Sequence, residues 1–349
     1  MTLRKLFSGC AAGAALLALS ACAREGKKTE IDPARLAMFG PLPAVVESPS
    51  NPITEEKVAL GRMLYYETRL SKGQDISCNS CHRLDRFGVD NEATSPGHKG
   101  QRGARNSPTV YNAAGHFVQF WDGRAPNVEE QAKGPVLNPV EMAMPGEKHV
   151  ITVLSSIPEY VEAFKKAFPG EKNPVTYDNM AKAIGAFERK LVTPSRWDRF
   201  LQGDAAALTD EEKAGFNLFV DVGCHTCHAG PYVGGATYHK LGVVKPMPSV
   251  KDLGRFEVTK QEGDKLMFKV PGLRNIEKTG PYYHDGSVAT LEEAVQSMAE
   301  HQLGKTLKDA EVASIVAWLK TLTGEIPAEY IKPPELPKSS PRTPKPDLS

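Results

Sequence analysis

Cys78-Asn79-Ser80-Cys81-His82 and Cys224-His225-Thr226-Cys227-His228 are the two stretches that decide how this chain is read. Both follow the pattern C-x-x-C-H, the attachment signature of a c-type haem. Two cysteines three apart can bond the two vinyl groups along one porphyrin edge, and the histidine that follows turns its imidazole onto the iron. A pair of disulfides or a single Cys/His zinc site could use the same residue types. Neither needs a histidine directly after the second cysteine in both copies. The repeated order therefore favours two covalent haems on Cys78, Cys81, Cys224 and Cys227, with His82 and His228 as proximal iron ligands.

The chain has 349 residues, 40% hydrophobic and 24% charged, an ordinary globular balance. That length allows two domains of about 100–200 residues each. Disorder throughout, a coiled coil and a polytopic membrane protein are excluded. Lys+Arg number 43 against 42 Asp+Glu, so no basic excess points to nucleic acid. Aromatics are only 7%, which leaves a core to be completed by another apolar group.

The other two cysteines are Cys10 and Cys22, both near the N-terminus. Arg4 and Lys5 precede an apolar, small-residue run from Leu6 to Leu19, short for a bilayer span and typical of a signal-peptide core. The run ends in Leu19-Ser20-Ala21-Cys22, which resembles a bacterial lipobox; an ordinary signal peptide with an incidental cysteine is the alternative. Residues 1–21 are thus expected to be a lipoprotein signal peptide, Cys22 the lipidated residue and 22–33 a tether. Ala23, where an Asp would retain the protein at the inner membrane, favours an outer-membrane anchor. Loss of Arg4 and Lys5 leaves the mature chain one negative charge in excess. Export places it in an oxidising compartment, the periplasm.

The chain also repeats itself. Thr54-Glu55-Glu56-Lys57 leads into Val58, Gly61 and Leu64; Thr209-Asp210-Glu211-Glu212 leads into Gly215, Phe216 and Phe219. The second start has the form of a capping box. After the haem motifs, Arg105-Asn106 matches Arg274-Asn275. Asp122-Gly123 and Asp285-Gly286 precede Val128-Glu129-Glu130 and Leu291-Glu292-Glu293 at the same spacing. Each half reads as helix, haem motif, long Gly/Pro-rich loop, helix. The expected fold is mostly α, with two cytochrome c-like domains at 34–195 and 196–326 packed around the haems. Helices at 177–192 and 308–322 close the halves, the second with Val312, Ile315, Val316 and Leu319 at helical spacing. The Pro-, Lys- and Ser-rich segment 327–349 reads as a disordered tail.

With these residues in place, the chain resembles the bacterial di-haem cytochrome c peroxidases, which share a superfamily with MauG-type enzymes. The resemblance spans about 34–326 and rests on Cys78–His82, Gly97-His98-Lys99, Arg105-Asn106-Ser107-Pro108, Phe120-Trp121-Asp122-Gly123-Arg124, Gln131 through Glu141-Met142, Cys224–His228, Pro281-Tyr282-Tyr283-His284-Asp285-Gly286 and Met298. It implies reduction of hydrogen peroxide to water with electrons from a small cytochrome c or cupredoxin, and often a homodimer. It selects His98 as a removable sixth ligand on the first, peroxidatic haem, and Met298 as the sixth ligand on the second, electron-transfer haem. A thioether favours ferrous iron and raises the potential, whereas bis-His ligation lowers it. The resemblance further implies Trp121 on the path between the haems, Glu141 as acid–base, Gln131 as its polar partner, and an inter-haem calcium ion held by Asn106, Thr279 and Pro281.

Two other functions use the same motifs. An electron-transfer di-haem cytochrome would keep both irons closed, and has no need of a proton shuttle at Glu141 and Gln131. A MauG-like oxidase would modify a protein substrate, but that branch carries Tyr where Met298 stands.

Overall fold

The computed structural model describes residue 2, residues 29–248 and residues 250–349. The expected signal peptide, apart from residue 2, lies outside the described residues, as do Cys22 and most of the tether. The described chain is mostly helical. In order come α1 (Pro33–Leu36), α2 (Glu55–Tyr66), α3 (Cys78–Cys81), α4 (Val128–Leu137), α5 (Glu147–Ser155), α6 (Pro158–Ala167), α7 (Tyr177–Glu188), α8 (Arg196–Leu201), α9 (Asp210–Val222), α10 (Phe256–Thr259), α11 (Leu291–Leu303) and α12 (Asp309–Lys320). Between α9 and α11 a small antiparallel pair, β1 (Tyr238–Lys240) and β2 (Met267–Lys269), sets Tyr238 opposite Lys269 and His239 opposite Phe268.

Both repeat units start with a capped helix. The Thr54 hydroxyl accepts the Lys57 N–H at 3.2 Å at the start of α2. Thr209 and Glu212 form the full box on α9, each side chain accepting the other's backbone N–H. Each of these helices then crosses a later one at a glycine. A Cβ on Gly61 would lie 1.9 Å from the Ala183 carbonyl oxygen of α7, and one on Gly215 would lie 2.0 Å from that of Ser314 in α12. Only hydrogen fits there, so the two backbones touch. The loops repeat as well: Phe120 and Tyr283 have φ of +64° and +71°, and Gly123 and Gly286 of +68° and +66°. Isolated bridges Gln119–Ala125 and Tyr282–Val288 close the same turn in both halves.

Two hydrophobic clusters result. The first gathers Leu60, Leu64, Tyr160, Ile184 and Phe187 from α2, α6 and α7. The second gathers Trp197, Phe216, Trp318 and Leu319 from α8, α9 and α12. Helices α7 and α12 stop short of the expected 177–192 and 308–322. The carbonyls beyond them bond to loops: Leu191 accepts from Asn112 and Leu322 from Asn275.

Two segments differ from the sequence expectation. Residues ahead of the first repeat, within the expected first domain, lie on the second cluster: Phe39 packs edge-on to Trp197 and Phe216 at 5.9 and 5.3 Å, and Arg35 pairs with Asp221 at 2.8 Å. The tail 327–349, expected to be disordered, is a strap along the first half. Tyr330 stacks on Phe187 at 5.0 Å, and Ile331 is buried. Tyr66 donates to the Ile331 carbonyl at 2.5 Å, Arg69 to that of Pro337 at 2.8 Å, and Gln74 to that of Pro344 at 2.8 Å. Backbone carbonyls carry these bonds, so a proline-rich composition does not prevent them. No helix among the described residues is long and apolar enough to cross a membrane.

The glycine crossings are the tightest points of the scaffold. Gly61→Ala should destabilise the holoprotein by about 1–3 kcal/mol, the cost of overpacking. Denaturant unfolding checks it, and a midpoint equal to wild type would show that α2 and α7 can move apart freely.

Candidate active site

The first haem motif is held from several sides. Ser77 and Ser80 make a capping box at the start of α3. Tyr65, buried on α2, donates to the His82 carbonyl at 2.7 Å, and Tyr111 to that of Leu84 at 2.8 Å. Burial lowers the pKa of the His82 imidazole, against the opposing pull of Asp90, so the ring stays neutral. Its Nδ1 is buried with no hydrogen-bond partner. In the second motif His228 Nδ1 faces the Val233 carbonyl at 3.3 Å, and burial lowers its pKa to about 4. A hydrogen bond at one ring nitrogen leaves Nε2 as the donor to a metal. None of the four motif cysteines is joined in a disulfide, and burial pushes the thiols of Cys78 and Cys224 up to about 12.

Beside the second motif is an apolar cavity whose wall contains Cys224, Cys227, His228, Phe219, Leu319 and Met298. Neutral imidazole, two thiols, a thioether and an apolar lining fit a covalent haem. Trp121 reaches the same wall from the first half. Its Nε1 donates to the Asn106 carbonyl at 2.9 Å, and its ring stands edge-on to His284 with centroids 6.5 Å apart. Asn106, Thr279 and Pro281 line this cavity too. The Asn106 amide donates to the Glu92 carbonyl at 3.0 Å, which leaves its Oδ1 for another partner. These are oxygen donors of the kind calcium accepts.

His98 and Glu141 come together elsewhere. The His98 backbone N–H donates to the Glu141 carbonyl at 2.7 Å, and a Cβ on Gly97 would lie 2.0 Å from the Val140 carbonyl oxygen. Gly97 thus packs closely on the Glu141 turn, while Lys99 and Gly100 hold left-handed φ. The His98 ring is buried, with Nε2 3.4 Å from the Ser349 backbone oxygen, in the wall of an open cleft of about 390 Å³ that also touches Lys72 and Pro139. Glu141 accepts from Asn138 at 2.7 Å. Burial raises its pKa; the Arg124 charge and the Asn138 bond oppose the rise. The carboxylate also lies close enough to Cys81 to contribute to the rise in that thiol's pKa. Gln131 is half-buried on α4, the helix that leads to this turn.

The duplicated Arg-Asn pairs have a role that sequence reasoning missed. Arg274 is 2% exposed and makes two bonds to Asp198, at 2.7 and 3.0 Å. Arg105 bonds Asp122 of the first half at 2.5 Å and Asp252 of the second at 2.6 Å, tying the halves together. The duplication itself was the available signal.

Two repeated half-units, each with a half-buried neutral imidazole directly after a cysteine pair, define a di-haem c-type protein. The sequence profile described as di-haem cytochrome c peroxidase matches residues 55–206. The chain is 49% identical to the cytochrome c551 peroxidase of Nitrosomonas europaea, over 84% of this chain and 87% of that one. It is 48% identical to the cytochrome c551 peroxidase of Pseudomonas aeruginosa, over 89% and 90%. A solved MauG-like protein associated with microbial copper homeostasis superposes with a TM-score of 0.75 at 29% identity, covering 84% of this chain and 97% of that one. The chain belongs to the di-haem cytochrome c peroxidase family, and it is a peroxidase with two c-type haems.

Arg274→Ala would leave the Asp198 carboxylate buried and unpaired. The loss should be about 3–5 kcal/mol in denaturant unfolding of the holoprotein. A loss below 1 kcal/mol would mean that water enters and solvates Asp198.

Proposed function

We propose that the protein reduces hydrogen peroxide at the first haem with electrons that a small cytochrome c or cupredoxin delivers to the second, in the balance H2O2 + 2 H+ + 2 e− → 2 H2O. When bound, the haem irons supply the one-electron chemistry and the site for peroxide. His82 and His228 hold the irons from the proximal side, and the four thiols tether the porphyrins. Met298 would hold the iron of the second haem, where a thioether raises the potential. His98 would be the removable ligand of the first, leaving room for peroxide when it is released. Trp121 stands on the path between the haems, and Asn106, Thr279 and Pro281 hold a calcium ion beside it. The protein is an exported, lipid-anchored periplasmic enzyme, attached at Cys22 to the outer membrane, and works as a homodimer.

The observation that carries this reading is that the His98 loop packs on the turn of Glu141, the His98 backbone N–H donating to the Glu141 carbonyl. Cleavage of peroxide needs a proton taken from one oxygen and given to the other. A carboxylate in a dry pocket does this when burial brings its pKa towards the working pH. Glu141 is such a group: burial raises its pKa, and Asn138 donates to one of its oxygens. Gln131 orients the peroxide. A permanently closed electron carrier has no use for this pair.

Glu141→Gln keeps the size and removes the proton carrier. Turnover should fall about a hundredfold or more, with both haem spectra unchanged. Near-normal turnover with intact haems would return Glu141 to a structural role. The sign of the pH dependence follows from the raised pKa. Glu141 must be ionised to accept the first proton, and burial keeps it protonated to a higher pH than an exposed glutamate at about 4.3. As pH falls, kcat/KM should drop along a limb whose apparent pKa lies above that value, and Glu141→Gln should lack the limb.

A further inference from the structure

Lys269 ends β2 and is only 5% exposed. Among the described residues no carboxylate pairs with it. Its Nζ has one polar neighbour, Nδ1 of His116, at 3.3 Å. That imidazole cannot compensate the charge. It stands edge-on to Tyr232 at 5.7 Å, and the added Cβ of Gly235 or Gly272 would collide with its ring. Burial and the neighbouring ammonium hold it neutral. With nothing but burial acting on it, Lys269 itself is pushed down to about 8. A buried ammonium without an anion is costly, and such groups are normally paired.

Lys269 also belongs to the wall of the cavity that contains Cys224, Cys227 and His228. Its backbone N–H donates to the Trp121 carbonyl at 2.8 Å, so strand and tryptophan are fixed to each other. The group that fits this cavity carries two propionate carboxylates, the anion the lysine lacks.

We propose that Lys269 is a positioning residue that pairs with a propionate of the second haem, fixing that haem against the Trp121 segment and raising its reduction potential. The inference rests on the assignment of a haem to Cys224, Cys227 and His228. A positive charge beside a haem disfavours the ferric state, which carries one more positive charge than the ferrous. Pairing with the propionate keeps Lys269 charged and fixes its distance from the iron. His116 accepts from the same ammonium at 3.3 Å and so helps to fix its position.

The test is a potentiometric titration of the holoprotein, with pyridine haemochrome counts of two haems per chain checking the underlying assignment separately. Lys269→Met should shift the reduction equilibrium of the second haem at least tenfold towards the ferric form, a fall of 59 mV for one electron. The first haem should move much less. Lys269→Arg, which keeps the charge, should hold the potential near wild type but shift the propionate bending band of the second haem in resonance Raman spectra. An unchanged potential in Lys269→Met, or a fall confined to the first haem, overturns the assignment. If Lys269→Met does not mature, the Arg variant decides: a shifted propionate band supports the pair, and a band identical to wild type overturns it.

Discussion

An imidazole that is to bind iron has to be uncharged, and in this chain dryness enforces that. His82 and His228 are each held neutral by burial directly behind a cysteine pair. Keeping two such rings dry in a chain with few aromatics requires helices in contact beneath them. Gly61 and Gly215 provide it by letting α2 meet α7 and α9 meet α12 backbone to backbone. Tyr65 then extends from α2 to the His82 carbonyl, so the helix crossing and the ligand position are coupled through one hydrogen bond.

The halves share this base and differ above it. In the second, the candidate sixth ligand Met298 is on α11, a helix closed by a Thr290–Glu293 capping box. In the first, His98 is on a short loop with a left-handed Lys99, packed against the turn that carries Glu141. A helix offers one position for its ligand, and a loop offers more than one. The Arg105 bonds to Asp122 and Asp252 join the two halves near Trp121.

Much of this was legible in sequence because chemistry fixed the spacing. Cys78–His82 and Cys224–His228 could be read from porphyrin geometry alone, and the matched Gly61 and Gly215 from the duplication. What stayed hidden depended on contacts between distant residues. The polar, proline-rich composition of the strap predicts disorder. Its order comes from Tyr330 and Ile331 packing on the first core and from Arg69, Tyr66 and Gln74 donating to its carbonyls, which composition does not encode. Phe39 precedes the first repeat but packs on the second cluster, again a long-range choice. The burial of Lys269 was invisible for the same reason. A lysine is normally exposed, and only the pairing of β2 with β1 and the Trp121 segment draws it inside.

The proposed division of labour sets one closed iron beside one that a loop histidine can open. It is tested by the spin state of the first haem in fully oxidised and half-reduced holoprotein, compared between wild type and His98→Gly. The first haem should be low-spin in oxidised wild type, and should become high-spin and react with peroxide after one electron is added. His98→Gly should be high-spin and reactive without that electron. An oxidised wild type already high-spin at the first haem, and as fast with peroxide as the variant, would contradict it.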